Sequence, residues 1–353
     1  MTNLTQTSQI LKKIGPLLLI VSLIGLLLAA IFWRYQKPFT QPAEIQIPIS
    51  SPQIKQDPGQ KQPGAFDLSQ VEKPQIPQNL PVYKLKKYGL TDQMAQSVAA
   101  SFGISNEPFL IEPNTRDGKQ YNWQQEDFDL ALSTTTMRFG KKAANLDTPD
   151  ILPEEELQKV SSEFIKKTPL LDRDLARNTQ KTRYLKLENE RFVNAGTFVD
   201  SQIVEFFYDK RLSDFPLIGN TPDIVQAKIK IQKNGEIISL DARFFEEYGV
   251  SGAAQLKSPS EAIDEIKTGE GRVVQTLILD QYGQAIELFR AAAVDVESTK
   301  INKIGLVYFL PSDTEDLIQP IFSLEGSFNY EDEELGKITI YLPAAKFLTS
   351  SKP

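Results

Sequence analysis

The sequence predicts an α+β protein: a single N-terminal transmembrane helix, a disordered linker, then repeated units in which one helix precedes several antiparallel strands. Three observations carry that expectation. A stretch of 20 residues without a charge runs from Ile14 to Trp33, residues 36–81 hold nine of the 22 prolines and ten glutamines, and three amphipathic helical patterns follow, each leading into alternating apolar and polar residues.

Residues 1–13 read as a short tail, expected on the cytoplasmic side. At about 1.5 Å per residue, a helix over the uncharged stretch spans about 30 Å, the thickness of the hydrocarbon core of a bilayer. The expected anchor covers residues 14–35, with Trp33 and Tyr35 at the outer interface. Its apolar length exceeds that of a cleaved signal peptide, and Ala29-Ala30-Ile31-Phe32-Trp33 makes a poor cleavage site. Lys12 and Lys13 nearly balance Arg34 and Lys37 across it, so orientation rests on mass. A short tail, one span and a large body are the layout of a single-pass signal-anchor protein with its N-terminus inside and its body outside. Ser22, Gly25 and Ala29 recur three and four apart and give one face of small residues on which a partner helix can pack.

Residues 36–81 lack a helical period and are broken by proline too often for strand pairing, which predicts a tether. Beyond it the expected units are 82–147, 148–257 and 258–348. In the first, Thr91 reads as the N-cap of TDQMAQSVAASFG, whose Met94, Ala95, Val98, Ala99 and Phe102 share a face, with Gly103 as the left-handed terminator. FLIEPN, the Asp117-Gly118 turn, QYNWQ and DFDLALSTTTMRF follow as a meander. A polar break at Asp147-Thr148-Pro149 precedes the second unit. There Pro153 is expected at the first helical position of LPEEELQKVSSEFIKK, Glu154 to Glu156 complement the dipole, and Leu157, Val160, Phe164 and Ile165 face inward. In AKIKIQKNGEIISLDA, Ala227, Ile229 and Ile231 alternate before Asn234-Gly235, and Ile238, Leu240 and Ala242 after it, the signature of a hairpin. Ser258-Pro259-Ser260-Glu261 predicts a capping box at the start of the third helix, which ends by Gly269.

This succession resembles the PepSY-like, YycI/YycH-type regulatory proteins of bacteria. The resemblance rests on LPEEELQKVSSEFIKK before a sheet, DFPLIGNTPDIVQAKIKIQKNGEIISLDA, KSPSEAIDEIKTG, and the closing LIQPIFSLEGSF…ITIYLPA, over roughly residues 90–345. It implies a membrane-anchored, non-enzymatic protein that modulates a membrane sensor kinase or other envelope machinery, and it supplies no catalytic residues.

Composition narrows the chemistry independently. With no His and no Cys, thiolate nucleophiles, disulfides, Cys/His metal sites and every His-based triad are absent. No Ser-x-x-Lys occurs either. Residues 82–353 carry 32 Lys and Arg against 42 Asp and Glu, which argues against nucleic acid as a partner. Glu154 to Glu156 offer carboxylates for glycoside hydrolysis, but dipole complementarity already explains them. Glu331-Asp332-Glu333-Glu334 lacks the spaced ligands and turn glycine of a calcium loop and reads as a solvated hairpin tip. Gly219 and Gly269-Glu270-Gly271 are turn glycines without a phosphate-loop pattern, and Phe206, Phe207, Tyr208, Phe244, Phe245, Tyr308 and Phe309 fall in strand patterns that account for them as core. The expectation is therefore no cofactor, no metal, no small-molecule substrate, and a protein or peptide partner bound across strand edges or helix faces. The rival expectations are a cell-wall-binding module and a carboxylate-based hydrolase.

Overall fold

The computed structural model of the protein describes residues 51–54, 65–69, 71–111, 119–142, 146, 150–189, 191–222, 226–279, 298–310, 316–330 and 333–346. In chain order the elements are β1 (Ala65–Asp67), β2 (Asn79–Lys86), α1 (Asp92–Ser101), β3 (Phe109–Ile111), β4 (Gln120–Gln124), β5 (Phe128–Leu132) and β6 (Thr136–Lys141). Helix α2 (Glu154–Lys167) then leads to β7 (Ala176–Glu188), β8 (Arg191–Asn194), β9 (Ile203–Asp209), β10 (Arg211–Leu212), β11 (Phe215–Ile218), β12 (Ala227–Gln232), β13 (Ile237–Arg243) and β14 (Glu247–Gln255). Helix α3 (Pro259–Lys267) precedes β15 (Arg272–Ile278), β16 (Ser298–Phe309), β17 (Leu317–Tyr330) and β18 (Glu333–Pro343).

These strands form two nine-stranded sheets and not three successive helix-plus-sheet units, which overturns the predicted fold class. Sheet I runs β10-β11-β16-β17-β18-β15, with β1 on β16, and β2 on both β17 and β14. Sheet II runs β3-β4-β5-β6-β13-β12-β9-β7-β8. The physical reason is non-local pairing. Alternation marks each strand, but it does not say which strands pair, and here β11 joins β16 and β14 joins β2, each distant from it along the chain. The helices divide two to one. Ala95, Val98 and Ala99 of α1 and Leu157 and Ile165 of α2 pack on sheet II, whereas Ala262 and Ile266 of α3 pack on sheet I.

The local signals largely decide the helix ends. Thr91 caps α1, its hydroxyl accepting from the Met94 N–H at 3.2 Å, and Gly103 terminates it at φ +77°. Pro153 is the N-cap of α2, one position earlier than expected, and supplies no side-chain bond. Ser258 and Glu261 form the expected capping box around Pro259. Replacing Ser258 by Ala is expected to lower stability by about 1 kcal/mol. An unshifted midpoint in urea denaturation would show that the box contributes nothing. Asn234-Gly235 turns β12 into β13 with Gly235 at φ +88° and Ile229 opposite Leu240. A bulge after Lys230 breaks the expected alternation, because Ile238 then packs with Leu185 and Ile203 and away from Leu240.

Two further expectations change. The stretch read as linker is ordered over much of its second half, where β1 pairs in parallel with β16 and Phe66, Leu68, Val71 and Ile76 pack against the sheet I core. Apolar residues spaced among the prolines allow this, since a strap that buries side chains needs no period. The second correction concerns the membrane. Among the described residues no helix is long and apolar enough to cross a bilayer, against the expected single-pass anchor, cell-membrane location and exported body. The longest, α2, has 14 residues; at about 1.5 Å each it falls short of the roughly 30 Å required. The stretch 14–35, with Ser22, Gly25 and Ala29, lies outside the described residues, as do Asp117-Gly118, Asp147-Thr148-Pro149 and the tip Glu331-Asp332.

Candidate functional site

The residues that the sequence offers for chemistry are built into the scaffold. Glu154, at the start of α2, accepts from the Tyr184 hydroxyl at 3.0 Å and lies 3.6 Å from the Arg177 guanidinium. Arg177 also donates to Gln158 at 2.6 Å and stacks over Phe206, so the group pins α2 to β7 and β9. Burial, and then the bond to Glu154, raises the Tyr184 pKa, which keeps the phenol a donor. Phe206, Tyr208 and Phe244 lie in the sheet II core and Tyr308 in that of sheet I. Phe309 belongs to a smaller cluster with Val274, Val307, Ile321 and Tyr341. Phe207 points to the opposite side of β9, beneath the Arg183 guanidinium at 5.3 Å. Among the described residues no group of three acidic side chains is placed to hold a metal ion.

A cleft of about 620 Å³ opens beside the C-terminal end of α3, lined by residues 51–54 and by Lys257, Glu265, Thr268, Glu270 and Arg272. Lys257 is already committed to Glu265 at 2.6 Å. The lining thus brings a carboxylate to a cation, and the Thr268 hydroxyl donates to the Glu265 carbonyl at 2.9 Å.

A different feature stands out at one end of sheet II. Of the five large apolar side chains that are well exposed among the described residues, Ile151, Leu187, Phe192 and Val199 lie at this end, while Val250 lies on β14. The turn that closes β7 into β8 brings Leu187 and Phe192 there, while Val199 lies in the β8–β9 connection and Ile151 ahead of α2. Leu187 and Phe192 are paired across β7 and β8 and project on the same side. The Lys233 ammonium donates to the Val199 carbonyl at 2.9 Å, and the Leu152 N–H donates to the Lys233 carbonyl at 2.8 Å, which fixes Val199 and the Ile151 segment around the β12–β13 turn. Lys233 is held by burial below the usual lysine range, partly countered by Asp200.

Strand β8 is also an edge, with β7 on one side only. Arg183 and Lys230 flank the buried Glu205 at 3.7 and 3.9 Å, and the Lys230 ammonium sits 5.2 Å from the centre of the Phe192 ring. Lys186 pairs with Glu188 at 2.7 Å, and Arg191 lies opposite Glu188. The described side chains beside the edge therefore hold five cations, Arg183, Lys186, Arg191, Lys230 and Lys233, against three carboxylates, Glu188, Asp200 and Glu205.

Among the described strands that pair on one side only, the longest, β14, is interrupted. It carries a bulge at Ser251, and its last residue already accepts from Lys346, whose N–H reaches the Gln255 carbonyl at 2.8 Å. Bulges and covered ends are how natural sheets close an edge to further pairing. Sequence reasoning missed Leu187, Phe192, Val199 and Ile151. The alternation in TRYLKLE marks a strand, but not that its outward residues stay uncovered.

No family model matches the chain, and no curated protein matches it. Among solved structures, an uncharacterized protein from Eubacterium rectale ATCC 33656 is similar at 13% identity, over 80% of this chain and 88% of that one, with a TM-score of 0.45.

Proposed function

We propose that the protein is a non-enzymatic interaction protein that binds a protein partner at the β7–β8 end of sheet II. The observation that carries this reading is the gathering of Leu187, Phe192, Val199 and Ile151 at one end of a sheet whose remaining apolar side chains are largely buried. Burying an exposed Leu or Phe side chain at a contact contributes roughly 1.5–3 kcal/mol before the costs of association, so a partner can anchor on such a pair. The surrounding rim is polar, as interaction surfaces are. Keeping an aromatic ring partly exposed on an edge strand costs solubility, and its contacts with Leu187 and Lys230 return less than a fully covered ring would.

The test is photocrosslinking in the cells that make the protein, with a photoreactive amino acid in place of Phe192 and, separately, of Val250. A discrete adduct is expected from position 192 and not from 250. Leu187→Glu is expected to reduce the adduct about tenfold or more. Its effect on unfolding should stay within about 1 kcal/mol, the range for a partly exposed cross-strand pair. Equal yields at 192 and 250, or no adduct at either, would sink the proposal.

A further inference from the structure

Resting on that reading, we infer that the partner is an extended segment, alternating apolar and acidic residues, that adds to sheet II as a strand beside β8. The backbone geometry decides which groups are available. The Ala195 N–H donates to the Tyr184 carbonyl at 2.7 Å, which bridges outside the Leu185–Asn194 pair and makes it a non-hydrogen-bonded pair of the antiparallel ladder. Two residues along, Leu187–Phe192 is then of the same kind. The Leu187 N–H agrees, since it turns away from β8 to donate to the Gln202 side chain at 2.8 Å. In such pairs the amide and carbonyl face away from the partner strand, so Phe192 and Asn194 direct theirs to the open edge. An incoming strand finds two N–H and two C=O groups in register for pairing.

The two faces of this edge differ. Phe192 and Leu187 share the side on which Lys230 lies, whereas Arg191 and Val193 stand on the other, with Lys186 opposite Val193. Side chains of an added strand alternate between the same two faces. Apolar residues on one face extend the Leu187–Phe192 pair, and acidic residues on the other meet Arg191 and Lys186.

The test uses the full chain and a fluorescent synthetic peptide of roughly eight residues, alternating Glu and Val, a typical strand length. Its counterpart alternates Lys and Val. Binding of the Glu–Val peptide is expected, with the Lys–Val peptide at least about tenfold weaker. Asn194→Pro removes an N–H that the sheet itself does not use, and is expected to weaken binding about tenfold or more. Asn194→Ala keeps that N–H while losing the side-chain bond to Gly196, and should bind normally. Arg191→Glu leaves the backbone intact and should erase the preference for the acidic peptide, which keeps the inference testable should the proline variant misfold. Normal binding by a folded Asn194→Pro, no binding of the Glu–Val peptide, or an unchanged preference in Arg191→Glu would each overturn strand addition of an acidic segment. Those failures leave the crosslink at 192 standing, so they are separable from failure of the partner-binding reading itself.

Discussion

Trp123→Ala is expected to lower stability by about 3–5 kcal/mol, the range for truncating a large buried aromatic side chain. The indole is 1% exposed in the sheet II core, lies against Tyr121 with ring centres 6.2 Å apart, and donates its N–H to the Asn106 carbonyl at 3.1 Å. Truncation leaves a cavity between β4 and the helices, while the exposed Asn106 carbonyl can turn to water and to Gln96. Domains of this kind hold only about 5–15 kcal/mol in total, so this one change can consume a large share of it. Urea denaturation followed by Trp33-independent far-UV circular dichroism reads the loss as a lower midpoint at unchanged slope. A midpoint within error of the parent would mean that the indole's surroundings collapse to fill the space, and that the packing around it is far looser than described.

Gly336→Ala should also be costly, although it adds a single methyl group. Gly336 lies opposite Phe328 across β17 and β18, and a Cβ placed on it would sit 2.2–2.4 Å from three atoms of that ring. Phe328 is itself buried in the sheet I core, so the ring has little room to retreat. Overpacking of this sort costs roughly 1–3 kcal/mol. Gly305→Ala on neighbouring β16 is the matched control, since the nearest atom there is the Ser323 carbonyl oxygen at 3.9 Å, an ordinary contact. A fall in melting temperature for Gly336→Ala well beyond that of Gly305→Ala is the expected pattern. Equal shifts would mean that backbone entropy, and not the Phe328 contact, governs both positions.

What the sequence made legible was local. Thr91, Gly103, Ser258 with Glu261, and Asn234-Gly235 each act through bonds spanning a few residues, and each does in the structure what its chemistry predicts. What stayed hidden depends on partners far along the chain. Nothing in AFDLS announces a strand until Ser298–Lys300 lies beside it, and nothing in the β14 segment says that its neighbour is β2 and not β13. The expected transmembrane anchor was inferred from residues outside the described part, and none of the helices described there can take its place. The binding corner was hidden for a related reason. Leu187 and Phe192 look like any other apolar positions in alternating strands, and only their exposure in the structure tells them apart from the covered ones.

The strand order of sheet I has a consequence for the birth of the molecule. Ala65 pairs with Ser298, and β2 lies between β14 and β17, so the earliest strands of this sheet wait for the latest ones. Sheet II, by contrast, draws all its strands from Phe109–Arg243 and can be completed while the rest of the chain is still being made. During synthesis, then, β1 must be kept from wrong pairings until more than two hundred further residues have emerged from the ribosome, and β2 until at least 161 have. Ring closure over such distances is slow, and a chain that delays it is exposed to misassembly for as long as it waits. The prolines that crowd the segment around β1 and β2 suit that interval, because they disfavour premature ladders while leaving the few residues that finally pair free to do so.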